Sequence, residues 1–257
     1  MPTAIIQARI SSTRLPGKVL LELLGKPVLW HVINRVSKAK SVDDVIVATS
    51  TLPADDAIEE FCRQNNVKFF RGHPVDVLDR FYQCAKNNRI EDIVRITADC
   101  PLHDPHIIDK VVTEYAAGGY DYAANALDPT FPDGLDVEVF SFQALEKAWK
   151  NARLASEREH VTPYIIKHPD LFRIKSIRQS RDYSHMRWTL DNPEDYEFIR
   201  EVYIFFGKDI FYTDVVLELL EKKPELTRIN KGIKRNEGYD KSLEKDKETE
   251  GSDEHEH

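Results

Sequence analysis

Cysteine is scarce in this chain, and long apolar runs are missing. Only Cys62, Cys84 and Cys100 occur in 257 residues, widely spaced and without a C-x-x-C pair. Neither a disulfide framework nor a zinc knuckle is indicated, and reduced thiols in a cytoplasmic protein are expected. No stretch of about 18 apolar residues exists, and "PTAII" at the N-terminus follows no basic region, which speaks against membrane spanning and secretion. Excess positive charge is missing too. The formal net charge is -8, and five of those negative charges lie in residues 238–257. The near-neutral body argues against broad nucleic-acid or membrane binding and leaves room for a small, focused basic site. Neither G-x-x-x-x-G-K-[ST] nor G-x-G-x-x-G occurs, which removes a P-loop nucleotidase and a dinucleotide dehydrogenase. "SEREHVTPY" lacks the H-E-x-x-H spacing of a zinc helix.

What is present is ordinary globular material, 41% hydrophobic and 31% charged, enough for a substantial core. The β-branched runs "TAIIQA", "DVIVATS", "VKFFRG", "DIVRITA" and "DYAANA" alternate with "KPVLWHVINRVSKA", "ADDAIEEFCRQNN", "DVLDRFYQCAKNN" and "DPHIIDKVVTEYAAGG", whose apolar residues recur at three and four. The alternation predicts a largely parallel sheet covered by helices. From about residue 128 the pattern changes. "DPTFPDGLDVEVF" predicts a loop feeding a strand, "FQALEKAWKNAR" and "EREHVTPYIIKH" helices, "LFRIKSIRQ" and "MRWTLD" strands, and "PEDYEFIREVYIFFG" and "YTDVVLELLEKKP" helices. No Gly/Ser/Pro-rich linker divides the chain, so one domain is expected over 1–237, with halves at about 1–127 and 128–237. Residues 238–257 are too charged to offset ordering entropy and are expected to form a disordered acidic tail. His255 and His257 within it read as solvated, not metal-bound.

The stretch "IIQARISSTRLPGKVL", residues 5–20, places Arg9, Arg14 and Lys18 directly after the first strand, with Ser11, Ser12 and Thr13 among them. A loop following a strand of a parallel sheet lies at the carboxyl edge, where ligands of open α/β sheets bind. Gly17 permits close backbone approach and Pro16 stiffens the turn. Arg matches phosphate oxygens in bidentate fashion, and Lys acts as a mobile point charge. Together they point to a polyphosphate, although any one cation alone would read as part of a solvated basic loop.

Asp99 ends the fourth predicted strand at the same edge. Two like charges near 4 Å cost about 4 kcal/mol at an effective dielectric of about 20, so a carboxylate there needs a hard cation between it and a phosphate. Mg2+ takes carboxylate plus phosphate oxygens and retains several waters. Asp191, after "RWTL" and before a proline-initiated helix, is the second candidate. Turn or N-cap duty is the alternative for Asp99 and helix capping for Asp191, and Asp195 is the neighbour most easily confused with Asp191.

These segments resemble a known family. "ARISSTRLPGK" is similar to the N-terminal signature of the cytidylyltransferases that make CMP-activated sugars, the CMP-Kdo and acylneuraminate synthetases. "VIVATS", "FRGHPVDVLDRF", "RITADCPLHDP", "FPDGLDVEVFS", "SEREHVTPYI" and "RWTLDNPEDY" resemble the spore-coat polysaccharide SpsF-like branch, in order over residues 3–205. The resemblance implies a three-layer α/β Rossmann-like nucleotidyltransferase with a mainly parallel mixed sheet. It also implies Mg2+-dependent transfer of CMP from CTP to a sugar acid or sugar phosphate, with pyrophosphate release, in cell-surface polysaccharide or glycan biosynthesis. A homodimer is implied as well, to which the aromatics of "PTFPDGLDVEVFSF" would contribute.

Residues carried over from the resemblance are Asp99 and Asp191 as magnesium ligands and Lys18, Arg14 and Asp99 as the catalytic set. Ala8, Arg9, Ser12, Arg14, Lys18, Thr49, Arg71, Asp79 and Thr97 carry over to the nucleotide. Asp76 with Arg80 could equally be an i, i+4 helical ion pair. Acceptor recognition is expected from Asp133, Asp136, Glu138, Glu157, His160 and Arg187. Alternation of Leu135, Val137 and Val139 puts the acids of "PDGLDVEVF" on the opposite strand face, and His160 reads as a surface or capping histidine or as a general base. Two rival classes remain. A glycosyltransferase using a nucleotide sugar usually places a D-x-D pair on its metal, and "DYAAN" and "DCPLHD" contain none. A non-catalytic nucleotide sensor has less need of Lys18, Arg14, Asp99 and Asp191 together.

Overall fold

The computed structural model describes residues 1–235 and 237–253, with side chains described up to residue 247. β1 (Thr3–Gln7), β4 (Asp44–Ser50), β5 (Lys68–Gly72) and β6 (Asp92–Thr97) run parallel, with β1 hydrogen-bonded to both β4 and β6. β8 (Glu138–Ser141) is antiparallel to β6 and to β7 (Tyr122–Ala124), and β9 (Ile174–Ser176) is parallel to β7. The sheet order is β5-β4-β1-β6-β8-β7-β9. A two-stranded hairpin of β2 (Glu22–Leu23) and β3 (Lys26–Pro27) stands apart. The expected α/β fold with a mainly parallel mixed sheet is what the chain adopts.

Strand parity sorts the core into layers. Ala4, Ile6, Val47, Val94 and Ile96 face α1 (Val28–Val36), α2 (Asp56–Gln64) and α4 (Pro105–Gly118). Ile5, Ile46, Ala48 and Ile93 face α3 (Val77–Asn87) and α5 (Phe142–Asn151). Because both faces are covered, the strands read as continuous apolar runs, and each buried Ile or Val contributes about 1.5–3 kcal/mol. A third cluster packs α8 (Pro193–Phe206) and α9 (Thr213–Lys222) around Leu102, Leu135 and Trp188.

Several expectations need correction. "MRWTLD" forms no strand; it meets the chain at a single bridge between Asp133 and Arg187, since its neighbour is a turn too short to offer a ladder. "EREHVTPYIIKH" is two helices, α6 (Ala155–His160) and α7 (Pro163–Lys167), broken where Val161 adopts φ 73° and Pro163 withholds a donor. Of the aromatics in "PTFPDGLDVEVFSF", Phe131 and Phe140 are buried in the core and offer no surface to a second subunit, whereas half-buried Phe142 stacks on Tyr82. Asp76 caps α3 by accepting from the Asp79 N–H at 2.8 Å, while Arg80 donates to the His73 and Pro74 carbonyls, so the Asp76–Arg80 pair does not form.

The expected disordered tail is helical over its described part, α10 (Glu237–Asp253). It docks on α6 through polar contacts that composition does not reveal: Asp246 accepts from the Ser156 N–H at 2.9 Å, and the buried Ser242 hydroxyl donates to Glu159 at 2.8 Å. His255 and His257 lie outside the described residues. Among those described, no helix is long and apolar enough to cross a membrane.

His103, between β6 and α4, is buried with neither ring nitrogen partnered among the described residues. Burial disfavours the imidazolium and pushes its pKa down to about 4. An unfolded histidine takes its proton near pH 6.5, so as pH falls the unfolded state is protonated first and stability is lost between pH 6.5 and 4. Denaturant titrations should show His103→Leu losing about 2–3 kcal/mol less than the native chain between pH 7 and 4.5. Equal losses would refute this account.

Candidate functional site

The chain steps outward from β1 to β4 and β5, then returns to β6 on the other side of β1. The loops leaving β1 and β6 therefore diverge at the carboxyl edge, and such a reversal is where open α/β sheets form their crevice. A cavity of about 900 Å³ opens there, its walls including Arg14, Lys18, Thr97, Asp99, Arg187 and Asp191. A second cavity of about 390 Å³ lies beside α4 and α9. Its wall includes a stacked His106–Tyr212 pair with centroids 4.5 Å apart, beside Asp104 and Asp214.

Three distant parts of the chain meet at Lys18. After Gly17, in the left-handed region at φ 69°, a short 3-10 turn over Lys18–Leu20 aims the ammonium inward. Its Nζ lies 2.6 Å from Asp99 Oδ2 and 2.7 Å from Asp191 Oδ1. Burial opposes the Lys18 charge, but the two carboxylates outweigh it and raise the pKa. Burial likewise opposes the Asp99 charge, and Lys18 outweighs it, holding this acid well below the ordinary carboxylate range. Arg14 Nη2 is 3.1 Å from Asp191 Oδ1, and Arg14 Nη1 is 2.7 Å from Glu237 Oε2. The Leu190 N–H donates to the Asp99 carbonyl at 2.8 Å, tying the two acidic segments together.

Behind Asp191, Arg187 joins three aspartates: Asp133 at 3.0 Å, Asp191 at 3.1 Å and Asp195 at 2.9 Å. Gly134, at φ 106°, lets this happen. A Cβ there would lie 2.5 Å from the Thr189 nitrogen and the Trp188 carbonyl carbon, so only glycine allows the two backbones to touch. Past Gly134 the alternation holds: Leu135, Val137 and Val139 are buried in the core, whereas Asp136 and Glu138 line the cavity. Arg235 meets Asp136 at 2.6 Å, and Glu138 accepts from Arg95, Tyr122 and Thr162. Burial and the neighbouring Asp136 push the Asp133 pKa up to about 6.

Of the residues singled out in the sequence, Arg9, Ser11, Ser12, Thr13, Arg14, Lys18, Thr97, Asp99, Asp133, Asp136, Glu138, His160, Arg187 and Asp191 line this one cavity. The rest are elsewhere. Ala8 is buried beneath the loop and Thr49 within β4. Arg71 donates to the Ser50 and Leu52 carbonyls and pairs with Glu59, bracing the loop after β4. Asp79 accepts from the Trp149 indole at 2.8 Å. Glu157 is spent at the start of α6, accepting from the Arg153 N–H at 3.0 Å.

A cytidylyltransferase family model matches residues 3–226. The chain belongs to the cytidylyltransferase family. It is 40% identical over 235 residues to an uncharacterized protein of Methanocaldococcus jannaschii, covering 90% of this chain and 95% of that one. It is 33% identical to the spore coat polysaccharide biosynthesis protein SpsF of Bacillus subtilis, covering 86% and 94%. A cytidylyltransferase structure from Leptospira borgpetersenii superposes with TM-score 0.85 at 35% identity, covering 91% of this chain and 98% of that one.

In this cytidylyltransferase, sequence reasoning missed Arg95, Asp55 and the cavity-lining part of α10. Arg95 is central in β6, where a strand pattern hides a charge. Asp55, buried, accepts from the Ile10 N–H at 2.7 Å and anchors the start of the basic loop. Asp191 and Asp195 divide cleanly: Asp191 lines the cavity, whereas Asp195 is fully buried and accepts from the N–H groups of Asp191 and Asn192 at the start of α8. Removing one partner of a buried pair costs about 3–5 kcal/mol. Asp195→Ala should therefore lower stability by about that much in denaturant titration, and by more than Asp191→Ala, because Asp191 is part-exposed and its loss leaves Lys18 paired with Asp99 and Arg187 paired with Asp133 and Asp195. The reverse order would overturn this division.

Proposed function

We propose that the chain transfers the cytidylyl group of CTP to an anionic sugar-like acceptor, a sugar acid or sugar phosphate, releasing pyrophosphate during synthesis of a surface polysaccharide or glycan. The observation that carries this reading is the Lys18 ammonium held between Asp99 and Asp191 beside Arg14, at the carboxyl edge of β1 and β6. Family membership supports cytidylyl transfer, and the similarity to SpsF, a spore coat polysaccharide biosynthesis protein, supports a polysaccharide setting.

The acceptor oxygen forms a bond to the α-phosphorus while the bond from that phosphorus to the bridging oxygen breaks, and the electron pair leaves with pyrophosphate. Lys18 and Arg14 would exchange carboxylate partners for phosphate oxygens and stabilise the charge that develops on them. Asp99 and Asp191 supply hard oxygen donors, and no cluster of three metal-ligating side chains occurs among the described residues. Two carboxylates with the remaining positions left to phosphate and water suit Mg2+. When bound, that ion would orient phosphate oxygens and neutralise their charge. A phosphate acceptor needs no base. A hydroxyl acceptor must lose a proton, which we assign to Asp133, on the cavity wall beside Asp136.

Pyrophosphate release should be measured with each nucleoside triphosphate, Mg2+ and a panel of sugar acids and sugar phosphates. Release is expected from CTP and only with an acceptor present. Lys18→Ala and Asp99→Asn should each lower the rate about 100-fold or more. Nearly full activity in Asp99→Asn would sink the assignment of that carboxylate, and turnover of a nucleotide sugar in place of CTP would make the chain a glycosyltransferase.

A further inference from the structure

Helix α10 lies beyond the residues matched by the family, 3–226, yet it walls part of the cavity with Tyr239, Lys241 and Ser242. Its first turn carries Glu237, whose Oε2 is 2.7 Å from Arg14 Nη1, while Arg14 Nη2 is 3.1 Å from Asp191. Both arms of the guanidinium fork are thus occupied by carboxylates. Two polar latches hold the helix down, Asp246 on the Ser156 N–H at 2.9 Å and Ser242 between Glu159 and His160, at 2.8 and 2.9 Å. None of its described residues joins the three buried apolar clusters. Docking therefore rests mainly on charges and hydrogen bonds, with one ring contact from Tyr239 to His160, and their net contribution is small and reversible.

We propose that α10 is a built-in competitor of the nucleotide: the Glu237 carboxylate holds Arg14 where a phosphate oxygen would bind, and α10 leaves as the triphosphate enters. This rests on the reading of the basic loop as the phosphate site. Carboxylate and phosphate use the same fork of donors, so they exclude one another at Nη1. By linkage, nucleotide weakens α10 docking by the factor by which docked α10 weakens nucleotide binding. Tyr239 packs edge-on against His160, with ring centroids 5.1 Å apart. Release of α10 consequently opens that wall.

Calorimetric titration of the full chain with CTP and Mg2+, without acceptor, tests this in the native protein, Glu237→Gln, Asp246→Ala and the exposed-position control Glu244→Gln. If α10 is docked in roughly 70–90% of molecules, releasing it tightens apparent binding about three- to tenfold. That gain is expected in both Glu237→Gln and Asp246→Ala, and not in Glu244→Gln. Asp246 caps α6 instead of touching Arg14, so a gain confined to Glu237→Gln would mean only local charge removal and would overturn the competing helix. Native-like or weaker binding in both variants would overturn it too. Failure of every chain, the native included, to bind CTP would instead reject the phosphate-site reading, and the proposal with it.

Discussion

One ammonium group, on Lys18, joins residues that lie 81 and 173 positions away in the chain. Its two carboxylate partners would repel each other without it, and it would be a costly buried charge without them. This mutual dependence fixes the relative places of the loop after β1, the end of β6 and the segment leading into α8. The surrounding bonds follow from it. Leu190 donates to the Asp99 backbone, and Arg187 braces Asp191 from behind, so the two acids are held by more than their shared lysine.

The site also separates acids that build from acids that face outward. Asp195, Asp55 and Glu157 spend their oxygens on backbone N–H groups and neighbouring side chains, which satisfies otherwise orphaned donors at helix and loop starts. Asp99 and Asp191 hold cations at the cavity wall and keep a route to an incoming ligand. Burial, more than residue type, distinguishes the two sets, because a carboxylate sealed beneath a helix start has no remaining face to offer.

That distinction explains what could be read before the structure was known. The four parallel strands match the sequence reading to within a residue or so at each end, since strands covered on both faces carry unbroken apolar runs such as "DVIVATS". Arg14, Lys18, Asp99 and Asp191 were legible because strand ends in a parallel sheet share one edge. "MRWTLD" misled because it alternates like a strand while pairing at one residue only. Arg71, Asp79 and Glu157 lie outside the cavity wall, where each serves a local partner, and a charged residue type alone does not tell such a partner from a ligand. The tail misled most, since α10 is held by individual polar contacts that leave no periodic apolar signature.

The contact at Gly134 has a bearing on how this wall of the cavity can diverge among relatives. The turn carrying Asp133 and the segment carrying Asp191 touch backbone to backbone, and Arg187 crosses between them. Any inserted residue on one side displaces the other, so the two segments form a single inheritable cassette. Exchanging these loops between such proteins would have to move residues 130–138 and 186–195 as a unit.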